Sequence, residues 1–221
     1  MWRIFAAALI FGCISVVRVC YGDTIAVTPG SGGFESDLWN QDSTIGWQFM
    51  LSAPVSVTEL GFFDANGSSG LSDSHAVGIW NSSGTLLGSV TVPSGPPATL
   101  LDGFSFESVT PFTLGAGTYT IGAYGNETSP DQFKFGLSGS TTIAELTLGD
   151  AVFAPSAPNT LTLPTMVEDF ATQGYFGPDF LVGPTSSVPE PSTISLLTLL
   201  AIAFGLVGFF KAIRRKANTL P

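Results

Sequence analysis

The sequence predicts an all-β protein, a jelly-roll-like antiparallel β-sandwich, carried between an N-terminal signal peptide and a C-terminal transmembrane helix. Three observations predict it. Apolar residues alternate with polar ones in runs of about 5–9 residues. Each run is followed by Gly, Pro, Asn or Ser, and continuous apolar stretches occur only at the two ends of the 221-residue chain.

Residues 1–22 read as the signal peptide. Arg3 gives a positive start, Ile4 to Val17 an apolar core, and Cys20 and Gly22 the small residues expected at positions −3 and −1 of a cut between Gly22 and Asp23. The apolar run is shorter than the roughly 20 residues needed to span a bilayer. An uncleaved anchor is the competing reading, suggested by Arg18 near the cut. A lipoprotein site at Ile10–Cys13 is opposed by the bulky Phe11.

Residues 23–183 form the body, long enough for one domain with its own core. Trp47, Phe49 and Leu51 alternate with Gln48 and Met50, a run from Val55 reaches Phe62, and Val77 and Ile79 mark a third. Phe104 and Phe106 follow the turn dipeptide Asp102-Gly103, and Tyr119 and Ile121 follow Ala116-Gly117. No fixed-period repeat is present, which argues against a propeller or solenoid.

Residues 184–191 are a Pro-rich linker containing Pro189-Glu190-Pro191. Two prolines remove two backbone donors and bias their predecessors to extended geometry, so the tripeptide is non-helical and open to a processing enzyme. Residues 192–210 carry no charge, and 19 residues at about 1.5 Å each span roughly 28 Å, the thickness of a hydrocarbon core. Lys211, Arg214, Arg215 and Lys216 follow within the tail 211–221 and orient the span with the body across the membrane.

Charge is sorted along the chain in the same way. Of 7 basic residues only Lys134 lies in the body, whereas all 17 carboxylates fall between Asp23 and Glu190. The stretch from Asp23 to Glu190, with a net charge of −16, repels a phosphate backbone, so nucleic acid is not an expected partner. Both cysteines, Cys13 and Cys20, belong to the leader, which excludes a disulfide framework and a thiolate metal site from the body. With His75 the only imidazole, a Ser-His-Asp triad would have to be built on it.

The order Val188-Pro-Glu-Pro-Ser192, apolar span, basic cluster resembles the PEP-CTERM sorting signal over residues 188–216. The resemblance implies recognition of Pro189, Glu190 and Pro191 by an exosortase, a membrane-embedded transpeptidase-like cysteine enzyme. It further implies release of the span and sorting of the body to the cell surface or extracellular polymer. A permanently anchored single-pass surface protein is the alternative.

Within the body, Gly46-Trp-Gln-Phe, Leu60-Gly-Phe-Phe-Asp-Ala-Asn-Gly67, Ser74-His-Ala-Val-Gly-Ile-Trp80, Leu114-Gly-Ala-Gly-Thr-Tyr-Thr-Ile121 and Gly174-Tyr-Phe-Gly-Pro-Asp-Phe180 resemble a DUF4082-like family of extracellular sandwiches. That resemblance implies the jelly-roll-like fold and supplies no activity.

Four candidate features remain. Asp64, Asn66 and Asp73 place hard oxygen ligands on a Gly-rich loop, which would suit Ca²⁺. The loop has Ser69 and His75 where an EF-hand wants Gly and Glu, so an Asx turn is the favoured reading. His75 is expected at the surface or a strand end without a chemical role. Trp39, Trp47 and Trp80 would stack on sugar if exposed, against a core-packing reading that is strongest for Trp47. Asn66, Asn81 and Asn126 head sequons that mark exposed turns.

Together these readings give a non-enzymatic, exported matrix component or weak carbohydrate-interacting module. Its expected partners are the exosortase, the membrane through the C-terminal helix, and extracellular polysaccharide. No cofactor is required, and the alternative is a secreted hydrolase acting on polysaccharide.

Overall fold

The computed structural model describes residues 22–30, 34–36, 41–135, 139–167 and 175–184. All of them belong to the first of two compact units, Met1–Pro184; the second, Thr185–Pro221, lies outside them. In chain order the strands are β1 (Thr24–Ile25), β2 (Val27–Thr28), β3 (Phe34–Ser36), β4 (Ser43–Leu51), β5 (Val55–Phe63), β6 (His75–Asn81), β7 (Leu86–Val92) and β8 (Thr99–Leu101). They continue with β9 (Phe104–Leu114), β10 (Gly117–Gly125), β11 (Phe133–Phe135), β12 (Thr141–Thr142), β13 (Leu146–Pro155), β14 (Met166–Val167), β15 (Tyr175–Phe176) and β16 (Pro178–Gly183). A single 3₁₀ turn at Gly67–Ser69 is the one helical element among the described residues.

The described residues are therefore all-β, and each paired strand is antiparallel to its partner. Two large sheets dominate, one ordered β1-β16-β5-β9-β8 and the other β14-β13-β4-β10-β6-β7. They face each other through aromatic contacts: Trp47 and Phe49 on β4 lie 6.2 and 5.3 Å from Phe180 on β16, centroid to centroid. Trp47, Phe49 and Leu51 are buried, as their alternation predicts, and each such side chain contributes roughly 1.5–3 kcal/mol. The indole N–H of Trp47 donates to the Pro178 carbonyl at 2.9 Å, so the largest core side chain buries no unsatisfied donor. Among the described residues no helix is long and apolar enough to cross a membrane; the segment 192–210 lies outside them.

Local sequence explains the irregularities. Asp102 and Gly103 both take positive φ, 49° and 82°, and form the two-residue turn that brings Leu101 opposite Phe104. Register shifts on both sides of Thr58 leave it unpaired, because Val57 faces Phe112 and Val182 while Glu59 faces Ser108 and Leu181. Pro111 falls in the stretch of β9 that this shift leaves unpaired, so its missing N–H breaks no ladder bond.

Candidate functional site

The loop after β5 is an Asx turn. Asp64 is buried, its Oδ1 accepts the Asn66 N–H at 2.9 Å, and its Oδ2 accepts the hydroxyl hydrogen of Ser105 at 2.5 Å. Asn66 in turn donates its amide Nδ2 to the Gly70 carbonyl at 3.3 Å. Both carboxylate oxygens of Asp64 thus already serve the fold. Asp73 is engaged elsewhere through its backbone, and among the described residues no three His, Cys, Asp or Glu side chains gather.

His75 begins β6, as a strand-end residue should, yet it is fully buried rather than at the surface. It faces inward with Val77 and Ile79, and Phe62 of the opposite sheet stacks on its ring at 3.8 Å and 10°. Nδ1 lies 3.0 Å from the Tyr124 carbonyl, which can only accept, so the proton on Nδ1 is fixed. Nε2 lies 3.1 Å from Asp131 Oδ2. Asp131 also accepts the N–H groups of Ser72 and Asp73, each at 2.8 Å. Burial works against the ionised carboxyl, but the bonds from His75, Ser72 and Asp73 outweigh it and hold Asp131 below the ordinary carboxylate range. Neither ring nitrogen is left to take a proton from a hydroxyl, so this Asp-His pair holds two loops together and is not the front end of a triad.

On the outward face of the larger sheet, Gly46 of β4 pairs with Gly122 of β10, which pairs with Gly78 of β6. A trough without side chains results, and residues 156–165, the strap between β13 and β14, lie along it. A methyl group on Gly122 would stand 2.8 Å from Thr44 Cγ2 and 3.1 Å from Pro164 Cγ, and one on Gly78 2.9 Å from Leu161 Cδ2. Hydrogen bonds pin the strap: Ser156 N–H to the Asp42 carbonyl at 2.9 Å, Thr162 N–H to Thr44 Oγ1 at 3.0 Å, and Asn159 N–H to the Tyr124 hydroxyl at 2.8 Å. That hydroxyl donates to Asp42 at 2.6 Å, and burial with this bond raises the Tyr124 phenol above its ordinary range.

Where the strap ends, the same face opens into a groove of about 230 Å³ lined by Gln48, Asn81, Thr118, Thr120, Pro164 and Thr165 among others. Its position follows from the alternation of the strands. Gln48 sits between inward Trp47 and Phe49, and Thr118 and Thr120 flank inward Tyr119, so the polar half of each strand pattern forms the floor. Thr120 stands opposite Gln48 on one side and Trp80 on the other. Trp80 is only 4% exposed, and its ring, Leu86 and the strap residue Leu161 converge over Gly78. Trp47 is core, so neither tryptophan offers a free stacking surface; Trp39 lies outside the described residues. Sequence reasoning missed this groove because it followed the apolar positions, although the polar positions between them carried the signal.

At the N-terminus, Gly22 and Asp23 are exposed and immediately precede β1, and Asp23 accepts the Thr58 hydroxyl hydrogen at 2.9 Å. Pro189, Glu190, Pro191, Lys211, Arg214, Arg215 and Lys216 lie outside the described residues. There the sequence itself is decisive: a family model described as the PEP-CTERM protein-sorting motif matches residues 187–216. The chain carries a PEP-CTERM sorting motif.

The match begins one residue before Val188 and ends at Lys216, so it takes in the Pro-Glu-Pro tripeptide, the apolar segment and the whole basic cluster. The PEP-CTERM motif marks the chain as an exosortase substrate, processed at the membrane and exported as a surface or extracellular protein. It does not extend into the body, where the DUF4082-like resemblance gains no match. No curated protein and no solved structure matches the chain.

Proposed function

We propose that this PEP-CTERM protein is a component of the cell surface or extracellular polymer whose sandwich acts by holding polymer rather than by chemistry. The observation that carries the reading is the sorting motif itself, which follows a body with a single cation and 16 carboxylates before Val188. Such a body is soluble once exported and has no attraction for nucleic acid. One feature of the fold supports a non-catalytic role: the only imidazole has both nitrogens committed to Tyr124 and Asp131.

In this reading Gly22–Asp23 is the signal cleavage point, which leaves a mature chain that starts at its first strand. The jelly-roll-like form of the sandwich, the membrane span at 192–210 and its orientation by the basic tail belong to the same proposal. The test is the mass of the mature protein together with its fractionation. An N-terminus at Asp23, loss of the segment after Pro191, and recovery with the polymer that fails in a host lacking exosortase support the reading. An intact Pro221 terminus in the major surface form would overturn sorting in favour of a permanent anchor.

A hydrolase reading has one observation in its favour. Glu59 has a buried Oε2 with no hydrogen-bond partner, and burial, opposed by hydrogen bonds from Thr99 and Ser108 to the carboxyl and aided by the charges of Asp23 and Glu107, raises it above the ordinary range. Release of reducing ends from the host's polymer, abolished by Glu59→Gln, would establish that reading instead.

A further inference from the structure

We propose that the groove on the outward face of the larger sheet binds one or two rings of a neutral, hydroxyl-rich glycan chain lying across β4, β10 and β6. The inference rests on the polymer-holding reading above and names the site and ligand class that reading leaves open. Charge selects the ligand first. The body bears 16 carboxylates, yet the lining of this groove contains no Asp, Glu, Lys, Arg or His. A polyuronate would meet the repulsion of the whole body and find no cation here, and a cationic polymer would find no carboxylate within the groove to hold it.

Hydrogen-bonding capacity selects next. Gln48 offers an amide oxygen and an amide NH₂, and Thr118, Thr120 and Thr165 offer hydroxyls that both donate and accept. Asn81 spends its Oδ1 on the Ser83 N–H and hydroxyl and on the Thr85 N–H, at 2.7–3.1 Å, which leaves its amide nitrogen as a donor. Leu163 and Pro164 of the strap add an apolar wall for the C–H face of a sugar ring.

Backbone geometry argues against a peptide. The floor is β4 and β10, each paired on both sides, so no ladder position is open for an added strand and recognition must come from side chains alone. At about 230 Å³ the groove is below the roughly 300–1,000 Å³ of pockets that engulf a whole ligand, which suits a surface hold on part of a long chain.

The acidity of the protein supplies the assay. The exported form recovered from its host runs toward the anode in native gels, and gels cast with dextran, pullulan or galactomannan report binding as retardation. At least one of these neutral polymers is expected to retard the wild type, by the same amount at low and high salt, whereas alginate and gelatin do not. Gln48→Ala combined with Thr118→Val is expected to weaken retardation at least tenfold. Thr147→Val, on the same sheet but outside the groove, is expected to match the wild type and controls for folding.

Retardation by none of the three neutral polymers, by alginate or gelatin alone, or equally in the double variant would overturn the proposal. Failure here while the protein still fractionates with host polymer would sink the groove and leave the function standing. Retardation here with no exosortase-dependent retention would do the reverse.

Discussion

Asp131 and Asp179 are two buried carboxylates in one sandwich, and their surroundings drive them in opposite directions. Asp131 accepts the N–H groups of Ser72 and Asp73, and Nε2 of His75 lies 3.1 Å from its Oδ2. Asp179 is fully buried on β16, where its Oδ1 accepts the Phe180 N–H at 2.7 Å and its Oδ2 has no partner. Burial pushes the Asp179 carboxyl well above the ordinary range; the Phe180 N–H opposes this, and the charge of Asp102 adds to it. Two carboxylates with little exposed surface thus become an ionised structural ligand in one region and an acid that keeps its proton in the other, because Asp179 lies deeper and finds fewer donors.

The largest effect expected from breaking this contrast comes from Asp131→Ala. It leaves His75 and two backbone N–H groups buried without their acceptor, at a cost of about 3–5 kcal/mol. Urea denaturation of the exported form measures it, and a loss below about 1 kcal/mol would show that the pair is not holding the loops.

Asp179→Asn should act in the other direction. Keeping a proton on a carboxyl, or burying its charge, costs stability at neutral pH that an amide of the same shape does not incur. A gain of about 1–3 kcal/mol near pH 7 is expected. A loss would mean that the acid proton itself makes a needed bond.

The strands were legible in the sequence, and these two acids were not. Alternation around Trp47, Val77, Phe104 and Tyr119 located β4, β6, β9 and β10, because a period of 2 is a local property of the chain. Strands β7, β13 and β16 show that period less, since β7 is an edge strand with Leu86 and Leu87 exposed, β13 shifts register between Leu148 and Ala151, and β16 is buried on both faces. The role of His75 depended on Asp131, 56 positions away, and on Phe62 from the other sheet, contacts that no local pattern encodes. The groove was half legible: Gln48, Thr118 and Thr120 could be placed on one face from spacing alone, but the strap that walls it is an irregular segment placed only by tertiary hydrogen bonds.

The pH dependence of stability sharpens the comparison further, because the two acids bend the curve at different places. The folded state depresses the Asp131 carboxyl, so its contribution is fully present above the unfolded value near pH 4 and is lost as pH falls through the folded value. The folded state raises the Asp179 carboxyl, so its contribution is greatest below about pH 4 and is lost as pH climbs toward the raised value. Each group changes the slope by at most about 1.4 kcal/mol per pH unit. Asp131→Asn should flatten the acid side of the curve only, and Asp179→Asn the side above pH 4 only. The same flattening in both variants would show that the two do not titrate separately.

The smallest effect tests whether the two regions are independent. A route between them exists on paper: Asp179 pairs with Gly61, and the next residue, Phe62, stacks on His75. Side-chain direction cuts that route. Phe180 and Phe62 face the other sheet, so Asp179 and Gly61 point to the opposite face of β16 and β5, where a methyl on Gly61 would strike the Phe106 ring at 2.4 Å. A packed sheet therefore separates the proton held by Asp179 from the pair formed by His75 and Asp131. In a double-mutant cycle with Asp131→Ala and Asp179→Asn, the two changes should add to within about 0.5 kcal/mol. An interaction above about 1 kcal/mol would place both acids in one network through Phe62, and the contrast between them would then belong to the network rather than to the local surroundings of each carboxylate.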